Sequence, residues 1–292
     1  MIVITTPTGN IGRQVLKTVL AAGAPVRVIV RDPSRLPADL RPQVEIVEGS
    51  HGDPAVVDRA FAGADAVFWL VPADKTAPTV RAAYVDFARP ACEAFTRHGV
   101  RRVVSISALG RGFPGDAGHV TATLAMDDLI TGTGVAYRAV TCPSFMDNLL
   151  RQAASIRDQG TFSSPTPGDR KVPTCAIRDI TTVSTRLLLD STWTGSASVP
   201  VLGPEDLSFD DMARILSEVL GKPIRFQRTP DEIFVSSLRK FGHSEAMAQA
   251  LLAMASAKSR GLDNVEPRTA VATTPTSFRQ WCQEVLRPAV LG

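Results

Sequence analysis

Near the start of the chain, Thr6-Pro7-Thr8-Gly9-Asn10-Ile11-Gly12 has the residue types and spacing to hold an anion with backbone alone. Ile2, Val3 and Ile4 ahead of it read as a short buried strand. From Arg13 onward, Val15, Leu16, Val19 and Leu20 recur at helical spacing. A strand, a glycine turn and a helix start aim free N–H groups and the positive end of a helix dipole at one spot. Gly9 allows backbone to approach a pyrophosphate, and Gly12 lets the helix pack close on the strand. Thr6 stands at the corner where such turns usually carry another glycine, so that corner bears a Cβ. A second strand, Val26–Val30, ends in Arg31-Asp32-Pro33-Ser34-Arg35. In this arrangement the residue after the second strand meets the adenosine ribose, where a carboxylate suits a 2′-hydroxyl and an arginine a 2′-phosphate. Arg31 comes first and Arg35 is near enough to help, both with a planar fork of donors matched to phosphate. The expectation is a dinucleotide site touched by Thr6, Thr8, Gly9, Asn10, Ile11 and Gly12, with NADPH preferred and Asp32 leaving NADH open.

The elements that must position this turn alternate along the first half. Strands are expected at Ile2–Thr5, Val26–Val30, Val44–Glu48, Ala66–Leu70, Arg102–Ile106 and Ala136–Val140, with helices at 11–23, 54–62, 80–98 and 120–132. Short β-branched and aromatic runs bounded by turns read as buried parallel strands, and right-handed crossovers wind them into a doubly wound α/β sheet, a Rossmann fold. After Val140 proline and glycine become denser. A strand at Thr174–Ile177, a helix at Asp179–Leu189, a strand at Val199–Leu202, a helix at Phe209–Leu220 between Ser208 and Gly221, a strand at Ile224–Gln227 and a helical region at 231–260 are expected. Residues 1–148, with 175–190 returning to them, are read as the nucleotide domain. Residues 149–292 are read mainly as a smaller α/β lobe over the strand ends, the cleft between the two being the ligand site.

Composition excludes several classes. Net charge is +3 with basic residues scattered, which argues against nucleic acid or an anionic membrane as partner. No apolar run is long enough to span a bilayer, and the N-terminus lacks the charged-then-apolar pattern of an export signal, so a cytoplasmic protein is expected. Cys92, Cys142, Cys175 and Cys282 form no paired motif and no metal-ligand spacing with histidine, so inert thiols and no metal are expected.

Over nearly its whole length the chain resembles the NmrA-like group of atypical short-chain dehydrogenases/reductases. TPTGNIG at 6–12 is similar to the family's GATGNIG. VPA at 71–73, VVSISALG at 103–110, TGTGVAYRAVTCPSFMDNLL at 131–150, RDI at 178–180 and VLGPEDLSFDDMARILSEVLGKPI at 201–224 match its later segments. The resemblance implies an NAD(P)-binding Rossmann unit, a monomer or homodimer. It adds cofactor contacts at Ser50 and His51 after the third strand, at Val71 and Pro72 after the fourth, at Ser107 on the fifth, and at Cys142, Pro143 and Phe145 after the sixth. Members include quinone and azo-type reductases, isoflavone-reductase relatives, ketoreductases and catalytically silent redox sensors.

One departure from the wider superfamily bears on mechanism. A typical short-chain reductase carries a proton-delivering tyrosine and, four residues later, a lysine. Counting back from Gly134 puts those positions at His119 and Thr123, where the segment reads HVTAT. The chain's tyrosines, Tyr84 on an early helix and Tyr137 on a strand, are no obvious substitutes by position. His119 is then the side-chain candidate for proton donor, since imidazole titrates near about 6.5. It follows GRGFPGDAGH at 110–119, a glycine-rich loop that could act as a lid. An activated acceptor needs less acid catalysis, because placement alone can supply roughly 7–11 kcal/mol. The expectation is therefore a reductase that passes hydride from NADPH to a quinone or activated aromatic ketone, with Phe113, Phe145 and Asn148 as substrate contacts and Trp69 as a further wall. The alternative is a regulator that senses NAD(P) without turnover.

Overall fold

The computed structural model describes residues 1–292. The first half builds β1 (Ile2–Thr5), α1 (Asn10–Ala21), β2 (Val26–Val30), β3 (Glu45–Glu48), α2 (Pro54–Phe61), β4 (Ala66–Trp69), α3 (Phe87–Arg97), β5 (Arg102–Ala108), α4 (His119–Thr131) and β6 (Ala136–Cys142). The inner strands β1 and β4 are short, almost wholly apolar runs buried on both faces, as central parallel strands must be, whereas β3 at the edge leaves Glu45 and Glu48 exposed. One face packs Ile2, Ile4, Val28 and Phe68 against Val15, Leu16 and Val19 of α1, which are fully buried. Each such side chain contributes about 1.5–3 kcal/mol. The other face packs Val3, Val67, Trp69 and Val103 against α2 and α3 through Phe61 and Phe95, whose rings stack at 5.0 Å.

The second half follows with β7 (Ser144–Phe145), α5 (Ala153–Gln159), β8 (Thr161–Ser164), β9 (Val172–Cys175), α6 (Ile177–Leu189), β10 (Ser196–Pro200), β11 (Asp206–Leu207), α7 (Phe209–Leu220), β12 (Arg225–Arg228), α8 (Asp231–Lys240), α9 (Glu245–Ser259), α10 (Phe278–Trp281) and α11 (Arg287–Leu291). The main sheet has seven parallel strands in the order β10-β6-β5-β4-β1-β2-β3, so the chain reverses direction between β1 and β4. Thr5 marks that reversal. Its Oγ1 donates to the Phe68 carbonyl at 3.0 Å and accepts from the Leu70 N–H at 3.0 Å, fixing the two strand ends side by side.

The strand expected at 199–202 within the lobe runs instead from Ser196 to Pro200 and joins the main sheet, pairing Ser196 with Tyr137 and Pro200 with Thr141. Residues after 149 therefore supply the seventh strand as well as the lobe. Its small, exposed Ser196, Ala197 and Ser198 and its proline suit an edge position. The region at 231–260 divides into two helices at Phe241–Ser244, where Gly242 takes φ +83° and Ser244 caps α9 by accepting from the Met247 N–H. α7 starts and stops as its sequence indicates, with a capping box between Ser208 and Asp211 and a left-handed Gly221. No helix is long and apolar enough to cross a membrane. All four cysteines are buried free thiols, and burial pushes Cys92 and Cys282 up to about 12.

Candidate active site

The turn between β1 and α1 is held in a demanding conformation. Thr6 sits at φ +50°, the single residue other than glycine in the left-handed region. Its carbonyl accepts from the Gly9 N–H at 3.0 Å, and its Oγ1 is buried without a partner. A Cβ on Gly12 would lie 2.2 Å from that same carbonyl, so only glycine lets α1 approach the turn. The first turn of α1 has no acidic residue and no side-chain cap, leaving its N–H groups for an anion.

A cavity of about 880 Å³ runs from this turn across the ends of β1 and β2, lined among others by Thr6, Thr8, Gly9, Arg31, Arg35 and Ser50. Neither guanidinium makes an ion pair or side-chain hydrogen bond within the protein, whereas Asp32 is turned away to Ser34, accepting from its N–H at 2.9 Å and its hydroxyl at 2.6 Å. The carboxylate that left NADH open is thus committed to a local turn. His51 also lines this cavity. Its Nε2–H donates to the Leu70 carbonyl at 3.0 Å, and its ring meets Trp69 and Phe87 edge-on at 5.1 and 4.8 Å. Burial lowers its pKa to about 4, so it is neutral. The cavity's unpaired cations, uncapped helix N–H groups and glycine cradle fit a dinucleotide phosphate.

Pro72 is shared with a second cavity of about 640 Å³, lined by Asn10, Ile11, Val71, Phe145, Asn148 and Tyr84 among others. Tyr84 is the residue that sequence reasoning set aside. It lies in a single π-turn, Ala82–Asp86, ahead of Pro90, whose missing N–H deprives the Asp86 carbonyl of its α-helical donor. The Tyr84 hydroxyl stands 3.1 Å from Nδ1 of His119, and Nε2 of His119 lies 3.3 Å from the Met247 carbonyl. A carbonyl only accepts, so Nε2 carries the hydrogen and Nδ1 accepts from Tyr84. His119 itself lines none of the cavities described here. It opens α4 beneath α9, which crosses so closely at Gly118 that a Cβ there would sit 2.0 Å from the Ala250 carbonyl. Burial lowers the His119 pKa and raises that of Tyr84, keeping both neutral near neutral pH.

A third cavity, about 320 Å³ and mainly apolar, opens in the lobe between the segment after β6 and helices α8 and α9, with Phe145, Met212, Phe234, Leu251 and Met254 in its walls. Several expected contacts line none of the three. Ser107 points inward and donates to Asp127, which also accepts from the Tyr137 hydroxyl at 2.5 Å. Burial raises the Asp127 pKa to about 6. Cys142 and Pro143 are buried behind the β6 end. Phe113 packs beside Ala117, Val120 and Leu262 with the Arg260 guanidinium 5.7 Å from its ring, so the glycine-rich loop packs on the end of α9. Trp69 is fully buried core. Lys75, unremarked in the sequence, lines the first cavity and ties its wall to the lobe, donating to the Phe241 carbonyl at 2.7 Å. Ser244 strengthens that tie through its hydroxyl to the Ala77 carbonyl at 2.7 Å and its N–H to the Lys75 carbonyl at 2.9 Å.

The chain matches the model of the NAD(P)H-binding family over residues 7–171 and that of the NmrA-like family over residues 129–281. It is 32% identical over 290 residues, 97% of both chains, to the (4-alkanoyl-5-oxo-2,5-dihydrofuran-3-yl)methyl phosphate reductase of Streptomyces griseus. It is 29% identical to the NAD(P)H azoreductase of Xenophilus azovorans, over 86% of this chain and 85% of that one. The Escherichia coli NADPH-dependent quinone oxidoreductase, solved with NADPH, superposes with a TM-score of 0.78 at 20% identity, covering 96% of this chain and 98% of that one. The protein belongs to the NAD(P)H-binding, NmrA-like family.

Proposed function

We propose that the protein is an NADPH-dependent oxidoreductase that reduces a flat, electrophilic acceptor such as a quinone or an activated aromatic or conjugated ketone. The observation that carries this reading is the shared lining of the cavities: a phosphate-and-arginine cavity meets, at Pro72, a second one holding Tyr84, which in turn shares Phe145 and Asn148 with the apolar cavity of the lobe. The relatives named above, a butenolide phosphate reductase and an azoreductase, support the reaction class.

Bound NADPH supplies the hydride. Arg31 and Arg35 hold the 2′-phosphate, and the α1 N-terminus with Gly9 holds the pyrophosphate. Phe145 offers a flat face against which an acceptor can lie, and Asn148 a hydrogen bond to its carbonyl. The Tyr84 hydroxyl is the proton donor: its single hydrogen, which rests on Nδ1 of His119, turns to the acceptor oxygen, and water then reprotonates the phenolate. This pair takes the place that the absent tyrosine–lysine couple at 119 and 123 would fill.

The test is NADPH oxidation across a panel of quinones and aromatic ketones, with NADH in parallel. Turnover that favours NADPH and flat acceptors is expected. Tight NADPH binding with no turnover on any acceptor would overturn the reading in favour of a cofactor-sensing protein.

A further inference from the structure

The substrate side of the cleft is bordered by one exposed cation, Arg151, that no acid in the protein pairs with. The Tyr84 cavity and the apolar lobe cavity share Phe145, Asn148 and Arg151. Arg151 lies on the 3-10 helix Met146–Gln152. Of the other lobe arginines, Arg157 and Arg214 face carboxylates, whereas Arg225 and Arg287, which line neither cavity, do not. Arg151 makes no ion pair and no side-chain hydrogen bond. The acid nearest in sequence, Asp147, is turned inward to accept from the Ile177 N–H at 3.2 Å. The other cation lining the apolar cavity, Lys258, is paired with the buried Asp263. Around the passage between the two cavities lie apolar walls, an amide, the Asp147 carboxylate tied to the Ile177 N–H, and the exposed guanidinium of Arg151, which no acid pairs with.

From this arrangement we infer that Arg151 is a specificity-determining residue that reads an anionic group on the acceptor. It rests on the reductase reading. The substrate class is an amphiphile: an electrophilic head beside Tyr84, an apolar body in the lobe cavity, and a phosphate, sulfonate or carboxylate at the passage. A guanidinium matches such oxyanions by charge and by its fork of donors. The cofactor pyrophosphate is the other anion that would come near this cavity, because Asn10 and Ile11 line it.

Equilibrium titration of the NADP⁺-loaded protein with naphthalene sulfonate, against the uncharged naphthalene sulfonamide, separates the sources. The native protein is expected to prefer the sulfonate. Arg151→Gln should cost the sulfonate roughly 10- to 100-fold, the size expected for a lost charge-assisted hydrogen bond. It should erase the preference over the sulfonamide, and Arg151→Lys should restore part of it. In turnover, the ratio of KM values for a naphthoquinone and its sulfonate should shift in the same direction. Equal losses on both probes would overturn the inference. Weakened NADP⁺ binding with the preference intact would assign Arg151 to the pyrophosphate instead. If no quinone oxidises NADPH, the reductase reading fails, while the titration still decides whether Arg151 reads an anion.

Discussion

The Tyr84 hydroxyl and the His119 imidazole lie 3.1 Å apart although they are 35 residues apart in the chain, and the imidazole is pinned from its far side by the Met247 carbonyl of α9. Tyr84→Phe removes the hydroxyl and leaves the ring that fills the wall. It should lower kcat about 10²–10⁴-fold on a ketone, the usual worth of a positioned acid, and less on a quinone. NADPH affinity should be unchanged. His119→Asn should lower kcat by a smaller factor, since the hydroxyl remains and only its direction is lost. Steady-state rates on both acceptor types, with an NADPH titration alongside, check this. An equal loss on both acceptors would remove the proton-donor role.

Arg31 and Arg35 bear on the choice between the two nicotinamide cofactors. Arg31→Ala should weaken NADPH roughly 10- to 100-fold through the loss of a charged hydrogen bond, and leave NADH nearly unaffected. Fluorescence titration with each cofactor gives the ratio directly. Equal loss for both would sink the 2′-phosphate assignment.

Thr6 and Gly12 predict opposite outcomes for two single changes in one turn. Thr6→Gly releases left-handed strain of about 1–3 kcal/mol and adds about 0.5–1 kcal/mol of glycine chain entropy. It also deletes an unpartnered buried hydroxyl. A net stabilisation of about 1 kcal/mol is expected, read as a higher urea midpoint. Gly12→Ala forces a Cβ toward the Thr6 carbonyl. It should cost at least about 2 kcal/mol and abolish NADPH binding.

Two buried groups give opposed pH dependences. His51 binds its proton at about 4 when folded and 6.5 ordinarily, so its share of stability is complete above 6.5 and is lost as pH falls toward 4. Asp127 titrates at about 6 when folded against 3.8 ordinarily. Its share is complete below 3.8 and is lost as pH rises through 6. Each effect is on the order of 3 kcal/mol, and they offset one another between pH 4 and 6. Asp127→Asn keeps partners for Ser107 and Tyr137 but removes the second slope. The melting temperature of the cofactor-free variant relative to wild type should therefore climb between pH 4 and 6. A difference that is flat across that window would contradict the assignment.

The family, the cofactor class and the parallel sheet were legible in the sequence because their signals are local. Strand, turn and helix start lie within the first dozen residues, and Arg31 follows its strand directly. The Tyr84 contact was not legible, because it depends on a π-turn and on a lobe helix more than a hundred residues downstream. Trp69 drew attention as a rare aromatic, yet burial claims large apolar rings first, and it is fully buried core, while Phe113 is half-buried beside Ala117, Val120 and Leu262. Ser107 could have been read differently: a serine on a central strand, with Asp127 on the next helix and Tyr137 on the next strand, suggests a buried polar cluster as readily as a ligand contact. Arg151 carried no sequence signal, since its place between the two cavities and its lack of an ion pair are set by the fold.

The clasp between Lys75–Ala77 and Phe241–Ser244 makes the wall of the nucleotide cavity and the joint between α8 and α9 one mechanical unit. Lys75 and Ala77 line the nucleotide cavity, and α8 and α9 line the apolar cavity through Phe234, Leu251 and Met254, so the clasp joins the walls of both. By reciprocity, whatever factor the acceptor adds to NADPH affinity, NADPH adds to the acceptor's. The two ligands therefore share one coupling free energy, and Ser244→Ala, far from the transferred hydride, should reduce it in both directions by the same factor.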